Sequence, residues 1–214
     1  MTAAGQSLSA PDSHASASDR SSTMRATLEE YERIELRAHS LLEDVPLHDV
    51  WRVDLPGGGP GRTLLDVRHL LSAEPVTAAS PAVRLLFGLR VWLGRLFGWD
   101  REAPRASGES RVDRLSPAER ASSLVAPGTP EGPFRVVFVS PRESISEIRN
   151  ATVHAFSVFA LIEDAPDYHL YWSIYVQPVG RITAWYMRLI DPFRRAIIYP
   201  AILRGIRDAW ARRS

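Results

Sequence analysis

Lysine and cysteine are absent from the 214 residues, asparagine occurs once (Asn150) and glutamine twice (Gln6 and Gln177). Each absence removes chemistry. Without lysine there is no phosphate-loop lysine, no Schiff base and no pyridoxal anchor. Without cysteine there is no thiolate nucleophile, no disulfide framework and no sulfur-ligated metal centre. All 26 basic residues are therefore arginine, which matches the codon usage of a high-GC bacterial genome without any functional demand for guanidinium groups. The 25 acidic residues bring the net charge to +1. That near-balance argues against a nucleic-acid binder, which needs a concentrated basic surface. The length is sufficient for one good core.

Residues 1–27 are read as a disordered tail, because Ala, Ser and Asp dominate its first 23 positions and offer too little apolar surface to offset the entropy of ordering. That stretch lacks the basic start and apolar run of a secretory signal, and Met24 is a second candidate start. Residues 28–213 are read as a single domain. Leu28, Tyr31, Ile34, Leu41 and Leu42 suggest a helix over 28–42. Val50 to Leu55 alternates as a strand and stops at Pro56-Gly57-Gly58-Gly59-Pro60-Gly61. A helix is expected over Thr63 to Leu71. A second, over Pro81 to Trp99, is the most apolar stretch, but Arg90 at its centre excludes a membrane span. It reads as a core helix, with an interfacial helix lying on a membrane as the alternative. Residues 100–132 form a long polar insertion, with one short helix starting at the Ser116-Pro117-Ala118-Glu119 cap signal.

Four strands follow, over Phe134–Val139, Ser144–Arg149, Thr152–Glu163 and Tyr168–Val179, joined by turns short enough for an antiparallel meander. Regular hairpins would set Val139 opposite Ser144, Arg149 opposite Thr152 and Glu163 opposite Tyr168. Period two then sorts the faces. Val137, Val139, Ser144, Ser146, Ile148, Val153, Ala155, Ser157, Phe159, Leu161, Leu170, Trp172, Ile174 and Val176 form the core side. Small residues in its middle either let a helix approach closely or leave room for a ligand. The outer face carries Phe138, Ile145, Phe156, Tyr171 and Tyr175, with a row of Glu147, His154 and Gln177. A carboxylate beside a histidine can orient and charge the imidazole, as catalytic pairs do, or simply form a cross-strand contact. After Gly180 the spacing turns helical, interrupted at Asp191-Pro192.

Other motifs fail. The glycines at 57 and 59 are followed by Arg62 where a dinucleotide loop needs a third glycine. The six histidines, at 14, 39, 48, 69, 154 and 169, contain no pair at helical metal spacing, and no nucleophile elbow occurs. No metal and no cofactor are implied.

The order strand, two helices, meander, long C-terminal helix resembles the helix-grip fold of the START, pollen-allergen and polyketide-cyclase superfamily. Asp49-Val50-Trp51-Arg52-Val53-Asp54-Leu55-Pro56-Gly57-Gly58-Gly59, Glu147 to Phe156, Leu170-Tyr171-Trp172 and Asp191-Pro192-Phe193-Arg194-Arg195 are similar to an uncharacterised bacterial family, domain of unknown function 2867. The resemblance covers about Leu47 to Arg213. It implies an α+β, helix-grip-like fold in which a sheet of about five strands packs on a long kinked C-terminal helix, with two helices after the first strand; it carries no established reaction. Three functions are weighed on that architecture. The first is a binder of a hydrophobic small molecule or lipid, lined by Ser146, Ala155, Ser157, Phe159, Trp172, Ile174, Trp185 and Leu189. The second is an interaction module using the 81–99 helix or the outer sheet face. The third is a cyclase or dehydratase type of enzyme using His154 and Glu147, with Tyr171 or Tyr175. The binder is expected in the cytoplasm, with peripheral membrane contact through 81–99 as the alternative.

Overall fold

The computed structural model describes residues 23–73, 109–150, 153–179 and 181–213, with side chains for all but 23–24, 72–73 and 181–186. In chain order the elements are β1 (Thr23–Arg25), α1 (Leu28–Glu32), α2 (Arg37–Leu41), β2 (Leu47–Leu55), α3 (Leu64–Ala73), α4 (Arg111–Arg114), α5 (Pro117–Ser122), β3 (Pro130–Glu131), β4 (Phe134–Val139), β5 (Glu143–Arg149), β6 (His154–Asp164) and β7 (Asp167–Gln177), followed by α6 (Arg181–Phe193), a π-helical turn (Arg194–Ile198) and α7 (Tyr199–Ala211). The helix anticipated over 81–99 lies outside the described residues.

The short turns produce the expected meander, and every pairing is antiparallel. Val139 is opposite Ser144 and Glu163 opposite Tyr168, as hairpin geometry dictates. Arg149, however, is opposite His154 rather than Thr152. The connection spends more residues than a tight hairpin: Asn150 closes it by accepting from the Val153 N–H through its side chain and donating its own N–H to the Val153 carbonyl. A shift of two preserves the face of every side chain.

The open sheet runs β1-β2-β7-β6-β5-β4-β3. Among the described residues it has six strands of three or more residues, plus the two-residue β3, against about five expected. The additions are at the edges, where short strands give little sequence signal. Residues 23–25, placed within the polar tail by composition, pair with Val53, Arg52 and Trp51.

Both faces of this sheet are covered, so the outer face is not the free surface that the interaction-module reading would use. On one side α3 and α7 cover Val53, Leu55, Leu161, Leu170, Trp172 and Ile174. On the other, Tyr31, Leu36, Leu42 and Val45 from the 27–45 segment, with Leu115, close over Phe138, Ile145, Phe156, Tyr171 and Tyr175. A bulge between Val136 and Phe138 turns Val137 into this second core, away from its expected face.

The helix expected over 28–42 is two short ones. Leu36 between them is extended (φ −122°, ψ 141°), and the α2 N-terminus is capped from outside: the Arg37 and Ala38 N–H groups donate to the Glu143 carboxylate at 2.9 and 2.6 Å. Of the polar insertion, 109–132 is described. It holds the expected helix α5, with a capping box between Ser116 and Glu119, and an additional one, α4.

Pro192 sits inside α6. Its missing N–H removes a hydrogen bond and its ring crowds the preceding turn. The strain resolves two residues later in the π turn, where the Tyr199 N–H reaches back to the Arg194 carbonyl. Pro200 then falls at the start of α7, directly after the π turn. Leu203, Ile206 and Trp210 of α7 face the sheet. Trp210 packs so closely on Gly58 that a Cβ there would lie 2.7 Å from Trp210 Cζ2.

Candidate functional site

The sheet face beneath the C-terminal arm is organised in rows by strand pairing. One row crosses four strands as Asp49, Ile174, Ser157 and Ser146; the next crosses them as Trp51, Trp172, Phe159 and Ser144. Ala155 and Val176 form the row beyond the first. Six of the eight expected lining residues, Ser146, Ala155, Ser157, Phe159, Trp172 and Ile174, therefore lie together on three neighbouring strands. The Trp185 side chain lies outside the described residues. Leu189 is 42% exposed, and among the described side chains of α6 it is Met187 and Ile190 that pack in the sheet-side core.

The rows carry an aromatic array and a few fixed polar groups. Phe159 stacks on Trp172 with centroids 5.2 Å apart and planes at 15°; Tyr199 meets Trp172 edge-on at 4.9 Å and lies 5.3 Å from Trp51. The Trp172 indole N–H donates to Ser157 Oγ at 2.8 Å, which satisfies a donor that burial would otherwise strand. At the β5 side, Arg68 of α3 donates to Ser144 Oγ at 2.7 Å and to Glu131. Ala155 and Phe159 sit on β6, flanked by β5 and β7, yet both remain partly exposed.

At the β2 end of the first row the chemistry is ionic. The bulge between Leu47 and Asp49 leaves His48 unpaired in the ladder and sends it toward the arm, as bulges re-aim side chains. Its Nε2 lies 2.9 Å from Asp191 Oδ2 and 3.5 Å from Asp49 Oδ2. The Asp49 side chain is fully buried and takes ion pairs from Arg195 and Arg25, each at 3.2 Å. Arg194 pairs with Asp191 at 3.5 Å and contacts the Tyr199 hydroxyl; burial raises that hydroxyl well above an ordinary phenol. His48, Asp49 and Asp191 offer three ligand atoms within 4.8 Å of one another. Arg25, Arg194 and Arg195 already neutralise those carboxylates, so a metal would have to displace them; the arrangement is a clamp between β2 and the arm. Sequence reasoning did not single out Asp49 as a site residue, although period two places it on the same face as Trp51, Val53 and Leu55, where a carboxylate is out of place.

His154 and Glu147 do meet, with His154 Nε2 3.3 Å from Glu147 Oε2. They are diagonal neighbours, since Glu147 is opposite Phe156 and His154 opposite Arg149 and Gln177. Both side chains are buried, at 0% and 2% exposure, on the face opposite the aromatic rows. The carboxylate is further engaged by Ser110 Oγ and by the Arg111 N–H at 3.1 Å, while the buried Arg111 guanidinium reaches Asp44 at 2.7 Å. Tyr171 donates to Glu30 at 2.6 Å and Tyr175 to Tyr31 at 3.3 Å. With its carboxylate so engaged, the pair acts as a tie that fastens α4 to the sheet.

Residues 41–201 match a family described as "Protein of unknown function (DUF2867)". The chain belongs to the DUF2867 family. No curated protein and no solved structure matches it. Two of the stretches on which the family resemblance rests, around Asp49 and from Asp191 to Arg195, are the two halves of the ionic clamp. No helix among the described residues of this DUF2867 chain is long and apolar enough to cross a membrane.

Proposed function

We propose that this DUF2867 protein is a non-catalytic binder of a hydrophobic small molecule or lipid bearing a polar group, held between the sheet and the C-terminal arm of a helix-grip-like fold. The observation that carries this is the partial exposure of Ala155 and Phe159 in the middle of the sheet. Strands flank them on both sides, so their open surface lies on the sheet face over which α3 and the arm pack. Ligand pockets combine apolar and aromatic walls with a few placed polar groups. Phe159, Trp172 and Ile174 are such walls, and Ser146, Ser157 and the Arg68 guanidinium at the edge are such groups.

The test is titration of the protein with oleate below its micelle concentration, read by tryptophan emission. A saturable change, diminished in Trp172→Phe, is expected. Ala155→Trp should fill the space and weaken binding at least about tenfold, a loss of about 1.4 kcal/mol. Absence of any saturable change, or an Ala155→Trp protein that binds like the wild type, removes the proposal.

The enzyme reading receives less support, because the Glu147 carboxylate is occupied by Ser110, Arg111 and His154 on the far side of the sheet.

A further inference from the structure

The C-terminal arm presents an apolar edge that the core does not use. Leu189 and Phe193, one turn apart on α6, are 42% and 47% exposed. Pro192 and Ala196 beside them are exposed as well, while Met187 and Ile190 of the same helix face inward. Two large exposed side chains at i and i+4 make a continuous patch rather than scattered surface residues.

The charge around this edge says what covers it. Residues 181–213 hold eight arginines against two aspartates, whereas the rest of the chain has 18 arginines and 23 acidic residues. The arm is thus the cationic limb of an otherwise acidic protein. Asp191 is turned inward to His48 and Arg195, and Arg188, Arg204, Arg212 and Arg213 are exposed. A second copy of the same limb would be repelled. A nucleic-acid backbone would gain nothing from Leu189 and Phe193. Apolar side chains on a helix rich in arginine suit an anionic lipid surface, where the first enter the acyl boundary and the second pair with headgroups.

We infer that the arm is a membrane-docking element, with Leu189 and Phe193 inserting into an anionic bilayer and the exposed arginines held at the headgroup level. This goes beyond the ligand-binding reading and does not depend on it.

The experiment is co-sedimentation of the full chain with phosphatidylcholine vesicles, with and without phosphatidylglycerol, at low and high salt. Binding is expected only with phosphatidylglycerol, and weaker at high salt. L189S combined with F193S should reduce partitioning on the order of a hundredfold, from the apolar area lost at the interface. Arg188→Gln and Arg204→Gln should each cost about fivefold. All four positions are exposed, so circular dichroism and the thermal midpoint should be unchanged. Failure of the wild type to bind the phosphatidylglycerol vesicles overturns the inference, as does undiminished binding by the L189S/F193S protein. So does a wild-type dimer that this double substitution dissolves, or a preference for single-stranded DNA over vesicles.

Discussion

Asp49→Asn is the most informative single change, because it removes one charge from the clamp and almost no volume. The Asp49 side chain is fully buried, and the groups it leaves behind are Arg195, Arg25 and His48. Deleting one partner of a buried ion pair costs about 3–5 kcal/mol when the survivor cannot reach water. Here the Arg25 side chain is 58% exposed and that of Arg195 38%, so both partly rehydrate, and His48 keeps Asp191. The expected loss is therefore at the low end, about 3 kcal/mol. For a chain of this size that is roughly 6–12 °C in thermal midpoint. Urea unfolding at neutral pH measures it, and an unchanged slope against denaturant would show that stability alone moved. Amide exchange adds the location: protection should fall first around the π turn and the start of α7, where the arm is clamped. A loss under about 1 kcal/mol, the range of a surface pair, would refute the view that Asp49 fastens the arm to β2.

Ser157→Ala should cost about 1–2 kcal/mol by stranding the buried Trp172 N–H, read by urea unfolding, with a shift in tryptophan emission. Gly58→Ala should destabilise by more than about 1 kcal/mol, since the residue has φ of 103° and the new Cβ would press on Trp210; thermal unfolding checks it. Burial lowers the His39 pKa below its ordinary 6.5, so the unfolded chain binds more protons as pH falls from that value. His39 therefore contributes stability that is lost on acidification through the folded-state pKa, and His39→Gln should flatten the stability-versus-pH curve below pH 6.5.

The sheet was largely legible because its order is local: short turns and period two fix both pairing and face. The same logic missed the longer Asn150 connection and the Val137 bulge, where an extra residue has no compositional mark. What covers the outer face is hidden for a different reason. Phe138, Ile145, Phe156, Tyr171 and Tyr175 make β4 to β7 apolar on both sides, the pattern of a sheet covered twice, but the residues that cover them come from 27–45, where the apolar spacing reads as one helix. What divides that helix is extended Leu36 and a carboxylate from Glu143, more than a hundred residues away. The lining rows could be drawn from register alone. The Asp49 clamp could not, because nothing local tells Asp49 that Arg195 will arrive.

The π turn between Pro192 and Pro200 also sets the rotational phase of the arm. Among the residues whose side chains are described, those facing inward before the bend are Met187, Ile190 and Asp191 of α6 and Arg194 of the π turn; those of α7 are Tyr199, Leu203, Ile206 and Trp210. Carried through a regular helix at about 100° per residue, the second set would point about 140° away from the first. One residue of extra winding takes back about 100° of that, leaving both halves aimed at the sheet within about 40°. Deleting a single residue from this turn would swing Trp210 off Gly58 while leaving the sequence of α7 untouched.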